Sequence, residues 1–446
     1  MNVRDAAVTT LLKIGQGGAF STISVHQMLE KRAISKADVG LYTELVYGTL
    51  SRELTLDYIL EPFLTKQKKL DPFMRPLLRM SVYQLFYLDR IPDHAVINEA
   101  VEIAKTRGKP HIAKVVNGVL RNVLRQGKPD FSAIPSVVDR ISIETSHPVW
   151  LVERWIELFG EEETWQMCRL NNEPAPVTVR VNRTRTDRQE AIVLLEEQGV
   201  IAKPAHAAPD GLEIVSGSVQ QTDLLERGYL SLQDESSMLV AAALGAQSTD
   251  RVLDSCAAPG GKAMHIAEGL ATGSLIALDL HPHKVKLLEK QATRLGLHNV
   301  QAEALDARQA GTRFEAASFD RILVDAPCSG LGVIRRKPDI KWTKRPEDLT
   351  QLPVIQRQIL EAVLPLVKPD GTFVYSTCTM DPLENEQQTE FILSQGFVFD
   401  ETFKTRMPEA VQSLIGERAE LKLLPTSLGT DGFYIAAFKK MNETTG

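Results

Sequence analysis

From Gln233 onward the chain repeats one pattern, strand then turn then helix, and that repeat restricts its fold more than any other feature. Runs suited to strands fall at Arg251–Leu253, Ser274–Leu280, Val300–Ala304, Arg321–Val324, Thr372–Tyr375 and Gly432–Phe438. Helical segments such as Gly261–Glu268, His283–Leu295 and Pro353–Leu366 lie between them. Strands separated by helices pair in parallel, and a parallel sheet is covered on both faces. The expectation is an α/β domain over 233–446 that binds its ligands beyond the carboxyl ends of the strands.

The region before it differs in kind. Residues 1–140 read as all-α, with proline and glycine marking breaks at Gly40, Pro62, Pro72, Pro92, Gly108 and Pro110. Periodic runs include Leu41–Leu60 and Phe73–Leu88. Ile112, Val115, Val116, Val119, Leu120 and Val123 form one helix face, with Lys114, Arg121 and Arg125 opposite. Residues 141–232 read as a linker helix, Val149–Phe159, and a small α+β lead-in. There Val177–Asn182 alternates like a half-exposed strand and Arg188–Gln198 like a helix.

Charge separates these regions. Residues 1–130 hold 19 Lys/Arg against 13 Asp/Glu, a net of +6, so the rest of the −6 chain is −12. A basic module on an acidic protein suits a polyanion partner. Lys105, Arg107, Lys109, Lys114, Arg121 and Arg125 are the candidate contacts. No apolar run approaches the ~18 residues of a membrane span. Asp5 and Lys13 interrupt the N-terminal apolar stretch, so it does not read as a signal peptide. Four cysteines in 446 residues make no disulfide framework, and a reducing cytoplasm is expected. No His/Cys cluster has metal-ligand spacing, so no metal is expected.

Three segments carry chemistry. In the first, a buried strand runs through Val252-Leu253-Asp254 into the turn Cys256-Ala257-Ala258-Pro259-Gly260-Gly261-Lys262, where a helix begins. Such a turn lets backbone and helix N–H groups approach a ligand. Neither phosphate-loop signature is present, so a nucleotide-like ligand without a pyrophosphate fits. Asp279 ends the next strand, placed for ribose hydroxyls, and Asp306 follows the third, placed for an adenine amine. S-adenosylmethionine and NAD both fit this set, and the missing pyrophosphate loop favours the former. In the second segment a strand ends at Asp325 and turns at Pro327-Cys328-Ser329-Gly330. The third is Tyr375-Ser376-Thr377-Cys378-Thr379, followed by Glu384-Asn385-Glu386. Cys328 and Cys378 thus end neighbouring strands at one edge, whereas Cys168 and Cys256 read as small buried hydrophobes.

Asp325-Ala-Pro-Cys-Ser-Gly and Ser376-Thr-Cys-Thr resemble the two cysteine motifs of the RNA 5-methylcytosine methyltransferases of the Sun/Fmu type. Cys256–Lys262 resembles that family's cofactor loop. The likeness spans about 140–440, including Arg180-Val-Asn182, Gln233–Ser237 and Gly429–Tyr434, with Ser237 a mild departure. The N-terminal region resembles the RNA-binding NusB fold, a pairing similar to the family's bacterial ribosomal members.

The resemblance implies a Rossmann-like methyltransferase domain preceded by an all-α NusB-like domain and the lead-in. It implies S-adenosylmethionine held by Cys256, Ala257, Ala258, Pro259, Gly260, Gly261, Lys262, Asp279, Asp306 and Asp325, and a cytosine of 16S ribosomal RNA as substrate. Cys378 would be the nucleophile, Cys328 would assist release, and Asp325 would hold the base. Arg335 and Arg336 would contact phosphate beside the reacting nucleotide. A monomer without obligatory protein partner is expected. Two alternatives stay open: a transfer-RNA or DNA cytosine methyltransferase, the DNA type placing its nucleophile at the Pro-Cys turn, and a non-catalytic RNA-binding or antitermination factor.

Overall fold

The computed structural model describes residues 2–17, 21–30, 34–64, 71–107 and 110–441. The chain divides into two units, Met1–Pro174 with Ile334–Lys344, and Ala175–Val333 with Arg345–Gly446.

The described residues of the first unit are helical. In Pro110–Gln126 the apolar face settles the packing: Ile112, Val116, Val119, Leu120 and Val123 are buried while Lys114, Arg121 and Arg125 face water. The run Leu41–Leu60 is two helices, Val39–Ser51 and Glu53–Leu64, broken at Arg52. The Arg52 guanidinium lies 4.5 Å from the Tyr87 ring centroid and donates to the Asn172 carbonyl at 2.9 Å. Helices Val137–Thr145, Val149–Phe159 and Glu161–Leu170 also pack in this unit. Thr55 Oγ1 donates to the Ile143 carbonyl at 2.6 Å, and Ser146 Oγ accepts from the Leu54 N–H at 2.9 Å.

Ile334–Lys344 completes this unit through a buried lysine. Lys341 is 1% exposed, and its Nζ donates to the Ser51 carbonyl at 2.7 Å and to Asn172 Oδ1 at 3.0 Å. Both partners are uncharged acceptors, so a neutral amine satisfies them. Burial pushes the Lys341 pKa down to about 7, with Arg52 adding repulsion. The unfolded chain therefore binds a proton that the native state has lost, and stability rises with pH between about 7 and 10. The gain from pH 7 to 9 should exceed that of Lys341→Met by up to ~1.4 kcal/mol per pH unit. All four tryptophans, Trp150, Trp155, Trp165 and Trp342, lie in this unit, so urea titrations followed by tryptophan fluorescence measure it. Equal slopes would mean that Lys341 stays charged in the native state.

The second unit opens with a four-stranded sheet ordered β2-β3-β1-β4, from β1 (Thr178–Val181), β2 (Ile201–Pro204), β3 (Gly211–Ser216) and β4 (Leu230–Leu232). The larger sheet holds β5 (Arg251–Asp254), β6 (Ser274–Asp279), β7 (Val300–Ala304), β8 (Phe319–Asp325), β9 (Val367–Thr377), β10 (Phe397–Phe399), β11 (Glu420–Leu423) and β12 (Phe433–Lys440). Its order is β10-β12-β9-β8-β5-β6-β7, with β11 also on β12. The five strands from β5 to β9 are parallel, as their helical crossovers dictate. The last three pair antiparallel, a departure from the all-parallel expectation, and β10 and β11 were not foreseen.

Alternate side chains of the parallel strands enter two cores. Val252, Leu275, Leu323 and Val374 pack on one side; Leu253, Leu278, Ile322 and Phe373 pack on the other. After β7 the chain crosses to the other side of β5. The order therefore reverses between β5 and β8, where such sheets open a ligand crevice.

Candidate active site

The crevice is built from strand ends. β5 stops at Asp254, and the loop Ser255–Gly260 leads into helix Gly261–Glu268. Gly260 has φ +111°, a conformation that excludes a Cβ at low strain and frees the helix start for close approach. Lys262, one residue into the helix, donates from Nζ to Asp325 Oδ2 at 2.8 Å. Asp325 Oδ1 accepts from Ser376 Oγ at 2.8 Å, because the two residues are register partners on β8 and β9.

Acid predominates around this ion pair. Asp254 is fully buried; burial, reinforced by Asp325, pushes its pKa up to about 7, and its Oδ2 has no hydrogen-bond partner. Asp279, 8% exposed at the end of β6, accepts from the His281 N–H at 2.9 Å and faces Lys284 Nζ at 3.7 Å. Burial opposes the charge on Lys262, but Asp325 outweighs it and holds the ammonium above its usual range. Asp254, Asp279 and Asp325, set against Lys262 and Lys284, suit a ligand that carries positive charge and hydroxyls. They would repel a diphosphate. This set fits S-adenosylmethionine, whose sulfonium and ammonium are cationic.

The two cysteines meet. Cys328 Sγ lies 3.4 Å from Cys378 Sγ, one beyond β8 and the other beyond β9. The hydrogen bond to Cys378, with burial second, raises the Cys328 pKa well above the ordinary thiol value. Gly332 donates to the Cys378 carbonyl at 2.9 Å and accepts from Gly432 at 2.8 Å. A Cβ at Gly332 would collide with the Gly432 carbonyl, so glycine is required there. Cys168 and Cys256 have thiols pushed up by burial, Cys168 to about 12.

Other expected residues have different company. Asp306 caps a short helical turn and binds Arg308, with Nη2 2.6 Å from Oδ2; that hydrogen bonding lowers its pKa. Arg107 is spent internally on Asp5 at 2.8 Å, Thr9 Oγ1 at 2.9 Å and the Phe73 ring. Lys105 pairs with Glu102 at 2.7 Å, and Lys109 lies outside the described residues. Arg335 donates to the Glu173 and Pro174 carbonyls at 3.2 and 2.6 Å, so its guanidinium braces its own unit. Arg336 is half-buried. Asp254 and Ser376 join the site without having been singled out. Asp254 ends a strand as Asp279 and Asp325 do, and that repetition was the available signal.

Comparison with known proteins finds three family matches along the chain. Residues 241–439 match the family described as 16S rRNA methyltransferase RsmB/F. Residues 1–125 match the NusB family, and 147–220 match the RsmF/B-like ferredoxin-like domain. The probable ribosomal RNA small subunit methyltransferase B of Bacillus subtilis is 47% identical over 442 residues, 98% of this chain and 99% of that protein. The protein named ribosomal RNA small subunit methyltransferase B in Pseudomonas putida is 34% identical over 455 residues, all of both chains. Among solved structures, a methyltransferase homolog protein from Pyrococcus horikoshii superimposes with TM-score 0.58 at 26% identity. It covers 69% of this chain and 99% of its own. A helical domain of NusB type, a ferredoxin-like lead-in and a Rossmann-like domain with this acid-rich crevice place the chain in the ribosomal RNA small subunit methyltransferase B family.

Proposed function

We propose that this 16S ribosomal RNA methyltransferase modifies carbon 5 of a cytosine by way of a bond between Cys378 and carbon 6 of the base. The observation that carries this reading is the meeting of two thiols 3.4 Å apart beside the Lys262–Asp325 pair. S-adenosylmethionine supplies an electrophilic methyl group when bound. Cys256–Lys262 and Asp279 would hold it, with Asp306 toward its adenine.

Carbon 5 of cytosine is a poor nucleophile. Addition of the Cys378 thiolate to carbon 6 forms an S–C bond and moves the ring's double-bond pair onto carbon 5, which can then take a methyl. Sulfur is both a strong nucleophile and an adequate leaving group. Asp325, oriented by Lys262 and Ser376, hydrogen-bonds the base near ring nitrogen 3 and its amine. Release requires loss of the proton on carbon 5. Its electron pair restores the ring double bond while the C–S bond breaks, and Cys328 assists this step. A small-subunit transcript containing 5-fluorocytosine cannot complete the release. With S-adenosylmethionine it should crosslink to the protein, and peptide mass spectrometry should place the linkage on Cys378. A linkage elsewhere, or none, overturns the reading.

The first unit is proposed to hold the RNA through Lys114, Arg121 and Arg125, which project from the exposed face of Pro110–Gln126. Reversing all three to glutamate should weaken RNA binding at least ~10-fold and reduce the salt slope by about 2–3, since each phosphate contact contributes roughly 0.7–0.9. Titrations at several salt concentrations check this. Arg107→Ala should leave that slope unchanged, because its guanidinium is held by Asp5.

A further inference from the structure

Neighbouring residues on one turn reach both cysteine loops. Helix Glu386–Ser394 begins just after Glu384 and Asn385, each 0% exposed. Asn385 serves the Cys378 loop: its Oδ1 accepts from Thr377 Oγ1 at 2.6 Å and its Nδ2 donates to the Thr379 carbonyl at 3.0 Å. Those partners flank Cys378 on either side. Glu384 serves the Cys328 loop: its Oε2 accepts from the Ser329 N–H at 2.8 Å. Gln356, also 0% exposed, closes that arrangement by donating from Nε2 to Glu384 Oε2 and to the Pro327 carbonyl, both at 3.0 Å. Residues 327 and 329 flank Cys328 in the same manner. Tyr375 Oη donates to the Glu384 carbonyl at 2.7 Å and ties the turn to β9.

Holding a carboxylate in such a place is costly. Glu384 is driven by burial toward its protonated form, and its Oε1 has no partner. A packing role would be met by an apolar side chain without that cost. The geometry points to Glu384 and Asn385 as a two-pronged positioning device, each residue orienting one of the two catalytic thiols, with Gln356 as the third member. Neither residue touches the reacting atoms. The inference rests on the roles proposed for Cys378 and Cys328, and it predicts that the two prongs fail in different steps.

The experiment uses the full chain with small-subunit transcripts and S-adenosylmethionine. Capture of a 5-fluorocytosine transcript reports addition by Cys378, whereas adduct built up on ordinary RNA and seen on denaturing gels reports slow release. Asn385→Ala should slow capture about 10- to 100-fold, the penalty of misplacing a reacting group by about 1 Å, without accumulating adduct. Glu384→Ala and the milder Gln356→Met should capture within about threefold of the parent rate yet accumulate adduct on ordinary RNA, as Cys328→Ala does. Glu384→Gln keeps an acceptor for the Ser329 N–H and should restore release. Calorimetric binding of S-adenosylmethionine confirms that each variant is folded. Equal losses in both steps for every variant, or normal release in Glu384→Ala and Gln356→Met while Cys328→Ala traps adduct, overturn the inference. If Cys328→Ala traps nothing, it is the Cys328 reading that fails.

Discussion

Replacing Cys378 by alanine lowers methyl transfer to small-subunit RNA by about four orders of magnitude or more, the scale on which enzymes lose activity with their nucleophile. The loss should lie in turnover. Cofactor affinity should stay within about twofold, since Lys262, Asp279 and Asp325 are untouched, and the strand-end backbone is held by Gly332 and by Asn385. Serine in place of Cys378 should rescue little, because an alkoxide is not available near neutral pH. Cys328→Ala should behave oppositely, forming adduct that persists. Single-turnover assays with methyl-labelled S-adenosylmethionine, run beside denaturing gels, separate the two. Near-normal turnover in Cys378→Ala would move the chemistry to another residue.

The second large effect falls on stability. Arg180 of β1 and Glu268 at the end of the cofactor-loop helix form an ion pair with side chains only 1% and 4% exposed, and Arg180 Nε donates to Gln233 Oε1 at 2.8 Å. Arg180→Met leaves Glu268 buried without a counter-charge, which should cost about 3–5 kcal/mol. The double variant Arg180→Met/Glu268→Leu should recover most of that, because two packed apolar groups carry no desolvation penalty. Burial already raises the Glu268 pKa despite Arg180, and loss of the arginine raises it further. A native carboxyl with a raised pKa binds protons more tightly than the unfolded chain, so acid favours the native state. The deficit of Arg180→Met should therefore shrink as pH falls from 7 toward 5. Scanning calorimetry is the suitable probe, since the second unit contains no tryptophan. A deficit independent of pH would mean that Glu268 stays ionised in the variant.

The parallel core and its strand-end residues were legible because both follow from local pattern. A buried strand, a glycine turn and a helix start occupy consecutive residues, and helix Gly261–Glu268 was placed to the residue. The two cysteines could be read as neighbours because each lies just past the end of a buried strand. What escaped depends on distant partners. β10 and β11 have three and four residues and exist through pairing with β12, so no periodicity announces them. Arg107 and Arg335 look like free cations in a basic stretch, yet acceptors far away in sequence engage them. Lys341 sits in an ordinary polar segment whose burial nothing local reveals. Helix Asp348–Val363 begins ahead of Pro353, where the sequence pattern had set its start.

Chain connectivity carries one more consequence. The polypeptide passes between its units three times, after Pro174, after Val333 and after Lys344. A protein truncated at Pro174 would keep every N-terminal helix yet lack Lys341 and Trp342, leaving the Ser51 and Leu50 carbonyls without these donors. The units therefore do not resemble beads on a string that one scissor cut could part.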